Sequence, residues 1–206
     1  MNQAELIASL IKNYDGNDRE FIPVLQATLA ACDEIIGEHS LRVARYVRAV
    51  GEVMGLTGPA NRSSLYLGGL LHDIGKFTVP YNTLVKQGPL TDAEWLRVKD
   101  HAHQGAQMLQ ANTKMAHLAP VVLCHHEYYN GRGYPGGLAG ENIPLMSRII
   151  AVADAYEGMT SERPYRRGFS HREALNRLRQ GRNNLYDPGV VDCFIKCLRS
   201  GLVLNY

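Results

Sequence analysis

His72 and Asp73 stand side by side in "LLHDIGKF", where an apolar helical run is ending. Both side chains are costly to bury without partners. His125 and His126 close a second apolar run in "VVLCHHEYY". A third apolar helix, "MSRIIAVADAYEGMTS", carries a lone carboxylate, Asp154, flanked by Ile150, Val152 and Ala153. A buried lone carboxylate neutralises itself unless a cation faces it. A metal ion answers all three puzzles at once, and imidazole and carboxylate donors without thiolate suit Fe, Mn, Zn, Co or Ni.

The spacing sets conditions on such a centre. Adjacent helical residues diverge by about 100°. A His–Asp neighbour pair therefore reaches metal only near a helix end, or when each residue serves a different ion. One aspartate has two oxygens, so Asp73 could bridge two cations about 3.5–4 Å apart. Lys76, three residues on, shares the face of Asp73 if the helix persists and would reach a phosphate oxygen or a metal-bound water.

Taken singly, these residues have ordinary explanations. His72 and Asp73 could simply end a helix, and Asp154 could pair with Arg148 or Arg163. Arg163, Arg166 and Arg167 read as a solvated basic turn, and Tyr134 as an anchor for its own loop. No ligand role is assigned to His103 on a polar helix face, His117 near a helix end, or His171 just after a capping serine. The joint occurrence carries the argument.

The elements that would position these groups are mostly helices. Apolar residues recur at helical spacing in "AELIASLIKNY", "FIPVLQATLAA" and "LRVARYVRAVGEVMGL". Thr91 with Glu94, and Ser170 with Glu173, read as capping boxes, and Asp187-Pro188 as an N-cap and first-turn pair. Two segments break the pattern. "FTVPYNTLVKQGPL" reads as an ordered loop, and the glycine-dense "YYNGRGYPGGLAGENIP" as a long functional one. The expected fold is all-α, with a helical extension over residues 1–32 and the main domain over 33–206.

Composition excludes several function classes. The 206 residues are 45% apolar and 20% charged with a net charge of +2, which gives no bulk electrostatic case for a nucleic-acid polymer or a membrane surface. No apolar run approaches the roughly 20 residues that span a bilayer. The start lacks signal-peptide character, and the four cysteines show no zinc spacing. A reducing, cytoplasmic setting is expected.

With these pieces in order, the chain resembles the HD-GYP subgroup of the HD-domain phosphohydrolases. The matching segments are "HSLRVARY" from His39, "LLHDIGKFTVP", "HAHQGAQML" from His101, "HHEYYNGRGYPGGL" and "SRIIAVADAYEGMTSERPYR"; "YDPGVVDCF" also fits. The resemblance implies an HD-domain helical bundle with a glycine-rich GYP loop, holding metal ions and cleaving cyclic di-GMP. It implies His39, His72, Asp73 and Asp154 around one ion and His101, His125 and His126 towards a second, with Asp73 bridging. Lys76, Tyr134, Arg163 and Arg166 would contact substrate. Two divalent ions are expected, iron or manganese first, with nickel, cobalt and zinc as alternatives.

The expected reaction is attack of a metal-bridging hydroxide on phosphorus, giving pGpG and, with a second cut, GMP. Asp73 and Lys76 are its catalytic residues. Two alternatives stand beside it: a non-catalytic cyclic-dinucleotide receptor, and the same chemistry on a mixed dinucleotide such as cyclic GMP-AMP. A homodimer contact through residues 1–32, and signalling partners such as a diguanylate cyclase (GGDEF) domain, are the protein partners considered. The chain departs from the family in three places. Ile35 stands where some members carry a third-metal glutamate, Glu38 stands beside His39 where glycine is common, and Asn130 replaces the aspartate that opens the GYP loop.

Overall fold

The computed structural model describes residues 2–162 and 167–201, and among them the fold is helical, with two isolated bridges and no named strand. In chain order the helices are α1 (Gln3–Lys12), α2 (Asp18–Cys32), α3 (Glu34–Val53), α4 (Pro59–Leu71), α5 (Tyr81–Leu84), α6 (Asp92–Lys99), α7 (His101–Gln110), α8 (Ala119–Leu123), α9 (Leu145–Thr160), α10 (His171–Gln180) and α11 (Pro188–Arg199). Their starts follow local chemistry. Thr91 and Glu94 form a reciprocal capping box, and Asp33 accepts from the Ile36 amide. Asp187 accepts from Gly189 and Val190 with Pro188 next in line, and Ser170 accepts from Glu173. The segment expected as a plain loop after Asp73 is more regular than that. It forms a 3-10 turn over Ile74–Thr78 and the short α5, whose N-cap is Pro80.

Two apolar clusters make the core. One joins Val43, Val47 and Val50 of α3 to Ile149, Ile150 and Tyr156 of α9 and to Phe194 of α11. The other joins Ile7 and Ile11 of α1 and Leu25 of α2 to Leu70 and Leu71 of α4 and to Leu109 of α7. The two N-terminal helices are thus packed into the second cluster. The buried Asn112 ties down the end of α1, its amide donating to the carbonyls of Ile11 at 3.0 Å and Tyr14 at 2.8 Å. Helices α3 and α4 contribute to both clusters, and the expected ligands lie along the seam between them.

Two glycines set how closely the elements at that seam approach. A Cβ on Gly69 of α4 would lie 2.6 Å from the Ala44 Cα of α3, so glycine lets these two helices cross in near-contact. A Cβ on Gly75 would lie 1.9 Å from the His101 carbonyl oxygen and 2.7 Å from the Gly105 amide of α7. Only a residue without a side chain lets the 3-10 turn rest on α7 there. This contact places Asp73 beside His101.

Gly75→Ala is therefore expected to lose about 3 kcal/mol of unfolding free energy. Gly88→Ala, where nothing lies within 4 Å of the added carbon, should change it by less than about 0.5 kcal/mol. Denaturant unfolding of the two variants checks both.

Candidate metal centre

Helix α4 stops at Leu71, and the backbone at Asp73 has left helical geometry, with φ −103° and ψ 8°. That break is what lets neighbouring side chains converge. The His72 Nε2 and an Asp73 carboxylate oxygen, Oδ2, lie 3.3 Å apart. The same oxygen lies 3.5 Å from His39 Nε2 of α3. Its sister, Oδ1, lies 3.3 Å from His101 Nε2 and 3.9 Å from His125 Nε2. One carboxylate faces two groups of imidazoles, one through each oxygen.

The ligand atoms fall into two compact sets: Asp73, His101, His125 and His126, and His39, His72 and Asp154, each set within 4.8 Å. His39 links the sets' carboxylates, since its Nε2 is also 3.3 Å from an Asp154 oxygen. All seven residues read from the sequence as metal ligands are thus brought together, on α3, α9, the start of α7 and the ends of α4 and α8.

Tautomers decide what such a group can bind. His72 donates its Nδ1–H to the Gly69 carbonyl at 2.8 Å, His101 to Val98 at 2.5 Å and His125 to Val122 at 2.5 Å. In each case the acceptor lies three residues back, in the last turn of a helix, where carbonyls lack an intrahelical partner. The proton is thereby fixed on Nδ1, leaving Nε2 as a lone pair. Yet the His39 and His72 Nε2 atoms sit 3.3 Å apart, as do those of His101 and His125. The buried Asp73 Oδ1 has no hydrogen-bond partner among the described residues. The facing lone pairs of His101 and His125 repel one another unless a cation lies between them. Spacings of 3.3 Å also suit neighbouring ligands on bonds of about 2.0–2.2 Å. The donor set fits a divalent metal.

The electrostatics agree. Burial works to raise Asp73, but His72, Lys76, His101 and His39 hold it well below the usual carboxylate range. Burial likewise opposes ionised Asp154, and His39 and His72 overcome it. Burial, followed by the neighbouring imidazoles, pushes His125 well below its ordinary value. Burial, offset in part by Asp154, leaves His126 at about 4. These two rings are neutral at pH 7. Burial would also lower His39, yet Asp154, Asp73 and Glu157 outweigh it and bring it up to about 11. The anionic oxygens demand positive charge.

Two carboxylates escaped the sequence reading. Glu157 of α9, 2% exposed, faces His39 Nδ1 at 2.5 Å, and is itself held by Arg42 at 2.8 Å and the Ser161 hydroxyl at 2.5 Å. It holds the far nitrogen of His39, whose Nε2 faces Asp73 and Asp154. Glu127, 3% exposed, accepts from the Gly136 amide at 2.6 Å and the Leu138 amide at 3.1 Å. It pins the GYP loop immediately after the paired histidines. A signal for each was present: Glu157 lies three residues after Asp154 on the same helix, and Glu127 directly follows His126.

The remaining expectations resolve as follows. Lys76 donates to Asp73 Oδ2 at 2.5 Å, within a 3-10 turn instead of a continued α-helix. Tyr134 stacks on His126 with ring centroids 4.8 Å apart. Arg148 is no partner of Asp154; it reaches Asp187 at 2.6 Å. Arg163 and Arg166 lie outside the described residues. Asn130 anchors its loop without a charge, accepting from the Arg132 amide at 2.9 Å. Glu38 points to Arg42 at 3.0 Å on the surface. His103 bonds Gln107, His117 bonds Ser64, and His171 accepts from or donates to the Tyr156 hydroxyl, all away from both clusters.

The HD domain profile matches residues 23–190. A cyclic di-GMP phosphodiesterase of Pseudomonas aeruginosa is 41% identical over 171 residues, covering 82% of this chain and 41% of that relative. The chain belongs to the HD-domain family, in its HD-GYP branch. This HD-GYP chain is also 38% identical over 156 residues to a 3'3'-cGAMP-specific phosphodiesterase of Vibrio cholerae, covering 76% of the chain and 33% of the relative. It therefore spans about two fifths or less of the length of these curated relatives. A solved HDG"Y"P protein from Bdellovibrio bacteriovorus shares the HD-GYP fold at a TM-score of 0.69 and 22% identity, over 96% of this chain and 68% of that one.

Glu127→Ala should cost about 2 kcal/mol, since it leaves two loop amides without their charged acceptor. Limited proteolysis should then cut first between residues 130 and 140, whereas unchanged cleavage would remove the pinning role.

Proposed function

We propose that the two clusters hold a pair of divalent cations bridged by Asp73, and that the chain hydrolyses a cyclic dinucleotide, cyclic di-GMP first, to pGpG and then GMP. The observation that carries this reading is the convergence of imidazole Nε2 atoms on Asp73, those of His72, His101 and His125 fixed as lone pairs by helix-end carbonyls. Iron or manganese suits a set of imidazoles and carboxylates without thiolate. When bound, such a pair supplies a nucleophilic water of lowered pKa and neutralises phosphoryl charge.

The chain's own groups do the rest. Water attacks phosphorus opposite the ribose 3′ oxygen; one P–O bond forms, one breaks, and the ribose oxygen leaves with a proton. Lys76, beside Asp73, donates to a non-bridging oxygen and compensates charge as it grows. Tyr134, on the face of His126, holds a guanine or the sugar–phosphate backbone close to the centre. Arg163 and Arg166 are further substrate contacts on the strength of the sequence motif. Asp154 and Glu157 hold His39 between them, so its ring keeps one orientation. A mixed cyclic GMP-AMP is the second reading, supported by the similarity to the Vibrio cholerae enzyme.

The setting proposed is cytoplasmic. Among the described residues the four cysteines are free, and no helix is long and apolar enough to cross a membrane. Unpaired thiols accord with a reducing compartment.

Asp73→Asn is expected to lose metal and phosphodiesterase activity together, with activity down about a thousandfold or more. Glu157→Gln should keep the fold and weaken metal retention about 10–100-fold. Metal analysis after anaerobic purification, with cleavage of cyclic di-GMP followed chromatographically, reads both. A metal-replete, active Asp73→Asn variant would remove the bridging assignment.

A further inference from the structure

Trp95 is the only tryptophan in the chain, and it stands on α6, a helix with no buried residue. Its side chain is 47% exposed. Core packing does not account for it. The Lys99 ammonium lies 5.4 Å from the Trp95 ring centroid and 5.1 Å from that of Tyr134. Tyr134 in turn stacks on His126, one of the clustered ligands. Indole, ammonium, phenol and imidazole form a continuous line from the outer face of α6 to the metal centre, each step about one stacking distance. The outer end is held firm, because Glu94 closes the capping box with Thr91 and also receives Lys86 at 2.5 Å.

We propose that Trp95 and Lys99 form the distal half of the substrate site. The indole stacks on the guanine remote from the scissile phosphodiester, and the Lys99 ammonium neutralises the second, uncut phosphodiester. The inference rests on the cyclic-dinucleotide reading above. A cyclic dinucleotide carries two bases and two phosphates, and among the described residues Lys76 beside Asp73 answers to one of those phosphates. A second cation beside a second exposed ring is the complement of the other half. Base–aromatic stacking is tolerant of base identity and contributes about tenfold or more in affinity. The ammonium's contribution is screened by salt.

Trp95 is also the reporter. In the manganese-loaded chain mixed rapidly with cyclic di-GMP, indole emission should quench before product appears, and the quench should saturate. Trp95→Ala and Lys99→Gln should each raise KM about tenfold while kcat stays within twofold, and Trp95→Phe, which keeps a ring, should restore KM to within threefold. Hydrolysis with unchanged emission, or a KM within twofold of the parent in both variants, would overturn the subsite and leave the phosphodiesterase reading intact. Saturable quenching without hydrolysis supports the subsite and removes the phosphodiesterase reading. Neither quenching nor hydrolysis overturns both.

Discussion

A hydrogen bond from an imidazole Nδ1–H to a helix-end carbonyl is the interaction on which the rest of this molecule turns. It occurs three times, from His72 to Gly69, His101 to Val98 and His125 to Val122. The last carbonyls of a helix have no intrahelical partner, and the first imidazole beyond that turn is well placed to satisfy one. The bond fixes the tautomer and the ring plane together. Three helix termini thus become three aimed nitrogen lone pairs, and the bundle's task is to bring those termini to one place.

Glycine and charge complete that task. The contact of Gly75 with α7 and the near-contact of Gly69 with Ala44 bring α3, α4 and α7 close enough for Asp73 to face imidazoles on both sides. Opposing charge then dictates composition. Asp73 and Asp154 stay ionised against burial, while His125 and His126 stay neutral because of it. Glu157 extends the pattern outward by holding the far nitrogen of His39, and Arg42 and Ser161 hold Glu157 in turn. The lone pairs, the orphaned Asp73 oxygen and the ionised carboxylates all point to bound positive charge.

Much of this was legible in the sequence because unusual residues interrupt apolar periodicity. His72, Asp73, His125, His126 and Asp154 each stand against an apolar run, and the motif resemblance supplied His39 and His101. Helix starts were legible for a local reason: Thr91, Ser170 and Asp187 bond to amides only two or three residues on. What depended on tertiary contact was not legible. Arg148 finds Asp187 across 39 residues of chain, and no local pattern distinguishes that pairing from one with Asp154. Glu157 looks like any polar position near a helix end until His39 arrives from 118 residues away. The short α5 has too few residues to reveal a period.

The central claim is that these seven side chains enclose two cations with Asp73 between them. Anomalous diffraction from crystals grown with manganese tests it most directly. Two peaks are predicted about 3.5–4 Å apart, one within bonding distance of His39, His72 and Asp154, the other of His101, His125 and His126, with an Asp73 oxygen on each. A saturated crystal with no peak there, or with peaks bound only to surface carboxylates, would contradict the account.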